Sequence, residues 1–305
     1  MACLRLMTLL ALVTCSAGMM RHVFVSRPVA ELPVGTVAAA QSQSPVGHTH
    51  TTRDDRRRAE RVHPEITAGT DVPDGRYPFV VALLDVRYGA TAFQQQICGG
   101  ALIAPRYVLT AAHCLGNGRH AGSNLRVAIG RTVLDSSQGD IVPVRTWVRH
   151  RGFDIAVIQL EHPVEGIQAI PMVAPGDTSL EMPGTPLIVA GWGDTVRRPG
   201  HGKPLYADRL EAATVPARHD DECQRAYRRQ DFDPASDVCA GGTGTDACFG
   251  DSGGPLFTAA GGWRLVGILS GGHGCGTKIP SIYTEVSSPT IAGLIQQFID
   301  QMEAS

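Results

Sequence analysis

Gly250-Asp251-Ser252-Gly253-Gly254-Pro255 is the stretch from which the rest of the chain is read. A serine hydroxyl becomes a usable nucleophile when a tight turn exposes it beside backbone N–H groups free to bind a developing anion. Glycines around Ser252 suit such a turn, because they let the backbone approach a reacting carbonyl closely. The competing reading is an ordinary glycine-rich turn, so the hexapeptide has to be weighed with what lies around it.

Upstream, Thr110-Ala111-Ala112-His113-Cys114 follows the apolar run Tyr107-Val108-Leu109. Its small residues can turn His113 to the edge of a cleft. Taken alone, a histidine is as readily a structural or surface residue. Asp154 opens a second apolar run, Ile155-Ala156-Val157-Ile158-Gln159-Leu160. A carboxylate at the mouth of a buried strand is costly unless something donates to it, and an imidazole N–H is a fitting donor. Taken alone, an aspartate in a strand-entry turn is the commoner case. The three residues together stand in the order His, Asp, Ser, one of three known orders for such a triad.

The surrounding texture is that of short strands. Tyr77–Leu84, Ala101–Ile103, Tyr107–Thr110, Leu125–Ile129, Ile155–Leu160, Pro186–Ala190 and Trp263–Leu269 are compact apolar runs. The chain carries 35 Gly and 20 Pro, and Gly, Pro, Asp and Asn punctuate these runs. Many short strands at modest spacing indicate an all-β sandwich or barrel. The C-terminus differs. Ser288 before Pro289 predicts a helix N-cap, and Ile291, Leu294, Ile295, Phe298, Ile299 and Met302 then recur on one helical face. That stripe is expected to pack on a barrel.

The N-terminal end reads as targeting and spacing. Arg5 precedes the apolar stretch Leu6–Val13, which is too short to span a bilayer, and small residues follow at Cys15, Ser16, Ala17 and Gly18. Residues 1–17 are expected to be a secretory signal. Translation starting at Met19 or Met20, or a lipid on Cys15, would be the alternatives. Residues 18–65 are rich in Ala, Gln, Ser and Pro and then in charge, and are expected to form a pro-segment or linker. The remainder, 66–305, forms the folded domain in this reading.

With 305 residues and 43% hydrophobic content, the chain can bury one large core or two small ones. A net charge of −2 does not suggest a nucleic-acid binder. No His/Cys cluster has zinc-like spacing, so no metal is expected. Of eight cysteines, Cys3 and Cys15 lie in the signal, leaving six. An even count in a secreted chain implies disulfides, but six cysteines allow fifteen pairings.

Two further motifs complete a resemblance: Cys98-Gly99-Gly100-Ala101-Leu102-Ile103 and Gly191-Trp192-Gly193. From Ile66 to the C-terminus the chain resembles the trypsin–chymotrypsin (S1) family of serine proteases, as a trypsin-like member. The resemblance implies two six-stranded antiparallel β-barrels, divided near 170–185, with the active site between them and a C-terminal helix. It implies the pairs Cys98–Cys114, Cys223–Cys239 and Cys248–Cys275. It implies that His113, Asp154 and Ser252 are the catalytic triad and that the N–H groups of Gly250 and Ser252 form the oxyanion hole. Ser270 stands where the family places a donor to the triad aspartate. No cofactor is implied. Protein or peptide substrates are, together with an activating protease and protein inhibitors. A secreted, extracellular monomer is expected, with no nucleic-acid or membrane partner in the mature form.

Asp246 stands where trypsin-like members place the base of the primary specificity pocket, which implies cleavage after Arg or Lys. Two departures bear on it. Gly271, in the strand Ser270-Gly271-Gly272 expected to pair with substrate, replaces the usual Trp. Ser281 replaces a Gly lining the pocket and is expected to narrow it and alter the selectivity. Activation in the family frees an N-terminus that pairs with the residue before the nucleophile, here Ile66 and Asp251. Glu65, not Arg or Lys, precedes Ile66, so a trypsin-like enzyme would not readily cut there itself. A latent protease or a non-enzymatic binding protein on the same fold are the alternatives.

Overall fold

The computed structural model describes residues 69–116, 122–195, 206–228, 231–258 and 261–305. The expected signal, pro-segment and Ile66 lie outside the described residues. The first half is a closed six-stranded antiparallel barrel, ordered β2-β3-β4-β7-β6-β5. Its strands are β2 (Val80–Asp85), β3 (Gln96–Ala104), β4 (Tyr107–Thr110), β5 (Leu125–Ile129), β6 (Asp140–Arg149) and β7 (Ala156–Leu160). β2, β4 and β7 are buried along their whole length, which is why they read as continuous apolar runs. Thr110 pairs with Ala156 and Arg149 with Ala156. The turn carrying His113 and the β6–β7 connection carrying Asp154 therefore leave the barrel at the same end.

The second half departs from the expected six-stranded barrel. It is a seven-stranded sheet ordered β1-β9-β8-β11-β12-β13-β10. These strands are β1 (Thr70–Asp71), β8 (Pro186–Gly191), β9 (Glu211–Pro216), β10 (Asp237–Gly241), β11 (Pro255–Thr258), β12 (Arg264–Gly271) and β13 (Pro280–Glu285). Its far ends approach at a single bridge, Ala217 to Ala240, where Arg218 N donates to Cys239 O at 2.9 Å. The reason is local. β1 takes part of the open edge of β9, and β9 ends at Pro216, which has no N–H to extend a ladder.

A four-residue helix α1 (Ala92–Gln95) and a seven-residue helix α2 (Asp220–Ala226) decorate the loops. The C-terminal helix α3 (Pro289–Glu303) buries Ile291, Ile295, Phe298 and Met302 and packs on β6 and β7 of the first barrel. Leu294 and Ile299, on the same predicted stripe, are only partly buried. Ser288 occupies the N-cap position but does not cap. Its hydroxyl donates to Ala235 O at 2.8 Å, tying the helix start to the loop before β10. No helix among the described residues is long and apolar enough to cross a membrane.

Candidate active site

His113 sits in a 3-10 turn, Ala112–Leu115, that follows β4 directly. A disulfide from Cys98 on β3 to Cys114 holds this turn against the barrel. The imidazole Nδ1 lies 2.7 Å from Asp154 Oδ2, and the His113 backbone N–H donates to Asp154 Oδ1 at 2.9 Å. Ser270 Oγ on β12 donates to the same Oδ2 at 2.8 Å, and Thr284 Oγ1 on β13 donates to the Asp154 carbonyl at 3.1 Å. Burial alone would raise the Asp154 pKa. Hydrogen bonds from His113 and Ser270 outweigh it and hold the carboxyl below its usual range. An ionised Asp154 accepts from the His113 Nδ1–H and fixes the orientation of the ring.

Ser252 reaches the same place from the other half. Its carbonyl accepts from Gly99 N on β3 at 2.8 Å. Cys114 Sγ lies 3.8 Å from His113 Nε2 and 3.5 Å from the Ser252 carbonyl, so both residues crowd one sulfur. Gly253 has φ 81° and is pressed against β4: a Cβ there would come within 2.3 Å of Thr110 Oγ1. The turn at 250–253 thus needs glycine for its backbone hand and for its approach to the chain that carries His113. Gln96 Nε2 donates to Gly250 O at 2.9 Å and holds that peptide from behind. Cys98, His113 and Cys114 bring three side chains of metal-ligating types close together. Both sulfurs are spent in the disulfide, so neither is a thiolate able to bind an ion.

Asp251 is 4% exposed and packs into the Gly191-Trp192-Gly193 turn. Gly193 N donates to its Oδ1 at 2.8 Å and Cys248 N to its Oδ2 at 2.9 Å. A Cβ on Gly193 would lie 2.5 Å from the carboxylate, so that glycine is required by the close approach. Burial raises the Asp251 pKa to about 6 in spite of both N–H donors.

Beside Ser252 opens a pocket of about 170 Å³, lined in part by Ala247, Leu269, Gly271, Gly272 and Ser281. A disulfide joins Cys248 and Cys275 across its rim, and another joins Cys223 on α2 to Cys239 on β10. Gly271 leaves its surroundings open, since a Cβ there would meet nothing within 4 Å. Asp246 is not among the lining residues. It lies behind Ser281, whose hydroxyl donates to its Oδ1 at 2.7 Å. Sequence reasoning missed Thr284, Gln96 and the exposed Phe249 at the pocket rim. Phe249 stands directly before the Gly250 turn, and that position was the available signal.

The chain is similar to known proteins over most of its length. The family model described as Trypsin matches residues 66–291. A trypsin from Saccharopolyspora erythraea is 37% identical over 233 residues, spanning 73% of this chain and 94% of the relative. Serine protease 28 of Mus musculus is 31% identical over 239 residues, spanning 73% and 85%. Among solved structures, neuropsin, a serine protease expressed in the limbic system of mouse brain, superposes with a TM-score of 0.61 at 27% identity. That alignment covers 76% of this chain and 98% of neuropsin.

Proposed function

The chain belongs to the trypsin family of serine endopeptidases, and from that premise we propose that it cleaves after Arg or Lys through His113, Asp154 and Ser252. The observation that carries the reading is the hydrogen-bonded set His113–Asp154–Ser270 beside the Ser252 turn. Ser252 Oγ attacks the peptide carbonyl while His113 Nε2 takes its proton. The oxyanion is received by the N–H groups of Gly250 and Ser252. His113 returns the proton to the leaving amine, and an acyl group stays on Ser252. Water, deprotonated by His113, then releases the acid. Asp154 remains ionised throughout and stabilises the imidazolium.

Activation is proposed to follow a cut before Ile66. Its new ammonium would enter the protein and pair with Asp251, a buried carboxylate that gains most from a cation. Since Glu65 precedes that bond, the activating protease is one that accepts Glu, or one that cuts after Arg61 and is followed by trimming. Secretion as a monomer, protein substrates and protein inhibitors complete the proposal. The three disulfides support an oxidising compartment.

The test is a rate panel on the processed enzyme, with peptides differing only in the residue before the cut: Arg, Lys, Phe, Ala and Glu. Cleavage after Arg or Lys, abolished in Ser252→Ala, is expected, with mass spectrometry finding Ile66 as the mature N-terminus. Preference for Phe, Ala or Glu would remove Asp246 from the proposal. A different N-terminus in the active form would remove the pairing with Asp251.

A further inference from the structure

We propose that Ser281 makes the pocket select lysine over arginine, because its hydroxyl, and not the Asp246 carboxylate, is the floor that a substrate cation meets. The inference rests on the reading of this pocket as the site for the residue before the cut. Asp246 is 1% exposed, and Ser281 lines the pocket in front of it. Asp246 Oδ1 accepts from Ser281 Oγ at 2.7 Å and from Ala247 N at 2.9 Å, so both of its lone pairs are used. Oδ2 is buried and has no hydrogen-bond partner among the described residues. Ser281 has given its single proton to the carboxylate. Its oxygen keeps acceptor capacity and lies against the Gly272 wall, where a Cβ would come within 2.9 Å of it.

The cation therefore faces one polarised hydroxyl oxygen. An ammonium is a compact charge with three donors, and it can aim a single N–H at such an oxygen while the hydroxyl relays to Asp246. A guanidinium is a flat fork that is best satisfied by two acceptors side by side. Here one of the two carboxylate oxygens is filled and the other is screened, so arginine would bury N–H groups without partners. Lysine is also one atom shorter from backbone to cation, which suits a floor raised by the serine side chain. Burial has pushed the Asp246 pKa to about 7, and a cation resting on Ser281 favours the charged form of the carboxyl behind it through space.

The experiment compares kcat/KM for matched peptides with Lys or Arg before the cut, in the processed protein and in Ser281→Gly and Ser281→Ala. Active enzyme is counted by titration with a serine-directed phosphonate. The native protein is expected to favour Lys by tenfold or more. Ser281→Gly lowers the floor and brings the ratio to about one or below, mainly by gain on Arg. Ser281→Ala keeps the obstruction but cuts the relay, so both rates fall and Lys falls further. Equal or better cleavage after Arg in the native protein overturns the inference and leaves trypsin-like specificity standing. So does an unchanged ratio in Ser281→Gly. Phosphonate labelling with no cleavage after either residue overturns the pocket assignment itself.

Discussion

Asp154 is held by opposed forces: burial resists its charge, while His113 and Ser270 donate to it and prevail. Removing the Ser270 donor leaves the His113 contacts and weakens only the support of the charge. Ser270→Ala is expected to lower kcat by about tenfold or more, since one hydrogen bond to a charged group is worth roughly 1.5 kcal/mol or more. KM should change little, and initial rates over a range of substrate concentrations separate the two. At Asp246 the order reverses, because burial outweighs the donors Ser281 and Ala247 and lifts the pKa to about 7. The neighbouring Asp251 adds to the rise, and the partly buried Tyr227 and the buried Tyr283 lie near the same carboxyl. Below that value the carboxyl is neutral and attracts no cation; above it the pocket carries a charge. The ratio of kcat/KM for a Lys peptide to that for an Ala peptide should therefore climb as pH rises through about 7. In the proposed mechanism His113 serves both substrates alike, so its part cancels in the ratio. Each of these residues stood out in the sequence as a motif member. Which force wins at each one was not legible there, because it depends on donors contributed by β12 and β13.

The connection that precedes β8 is latched to the end of β13 by acid side chains. Ser287 Oγ donates to Glu181 Oε1 at 2.7 Å and also bonds Glu285. Burial, with Glu285 and Asp220 nearby, raises the Glu181 pKa to about 8, and Ser287 only partly offsets this. The folded value is above that of the unfolded chain. The protonated latch therefore contributes stability at low pH, and that contribution is lost as pH rises through about 8. Glu181→Gln should leave the melting temperature unchanged below about pH 4.5 and raise it progressively as pH climbs to about 8, as thermal unfolding at the two ends of that window would show. Elements of this kind were partly legible. β4 and β5 coincide with their apolar runs, and β2, β7, β8 and β12 differ from theirs only at the ends. β9, β10 and β13 escaped, since Glu211, Asp237, Ser281, Thr284 and Glu285 interrupt any apolar pattern. Ser281 and Thr284 are tolerated inside because other segments accept from them, Asp246 and the Asp154 carbonyl respectively. Ser288 shows the converse: a good local cap whose hydroxyl was drawn to Ala235 by tertiary contact.

The two halves are joined by aromatic packing and by exchanged ends. Tyr77 and Phe79, just before β2, meet Phe257 of β11 at ring distances of 5.0 and 5.1 Å, and Trp263 packs on both. Phe257→Ala is expected to destabilise the protein by about 3–5 kcal/mol, the usual cost of emptying such a site. Denaturant titration would read it, and a loss under about 1 kcal/mol would show that the cluster does not bind the halves. The N-terminal strand β1 lies in the second sheet, while α3 crosses back to the first barrel, where Tyr107 OH donates to Glu303 at 3.3 Å. By itself the sequence determined the chemistry on offer: a serine in a glycine turn, a histidine after a strand, an aspartate before one, six cysteines beyond residue 17 and a mostly β chain. These are local patterns, carried by residue type and period. Tertiary structure alone decided that the second sheet meets its own far edge at one bridge, that Ser270 and Thr284 brace Asp154, and that Ser281 stands before Asp246. Those outcomes depend on strand register and burial between segments far apart in the chain, and no local pattern encodes them.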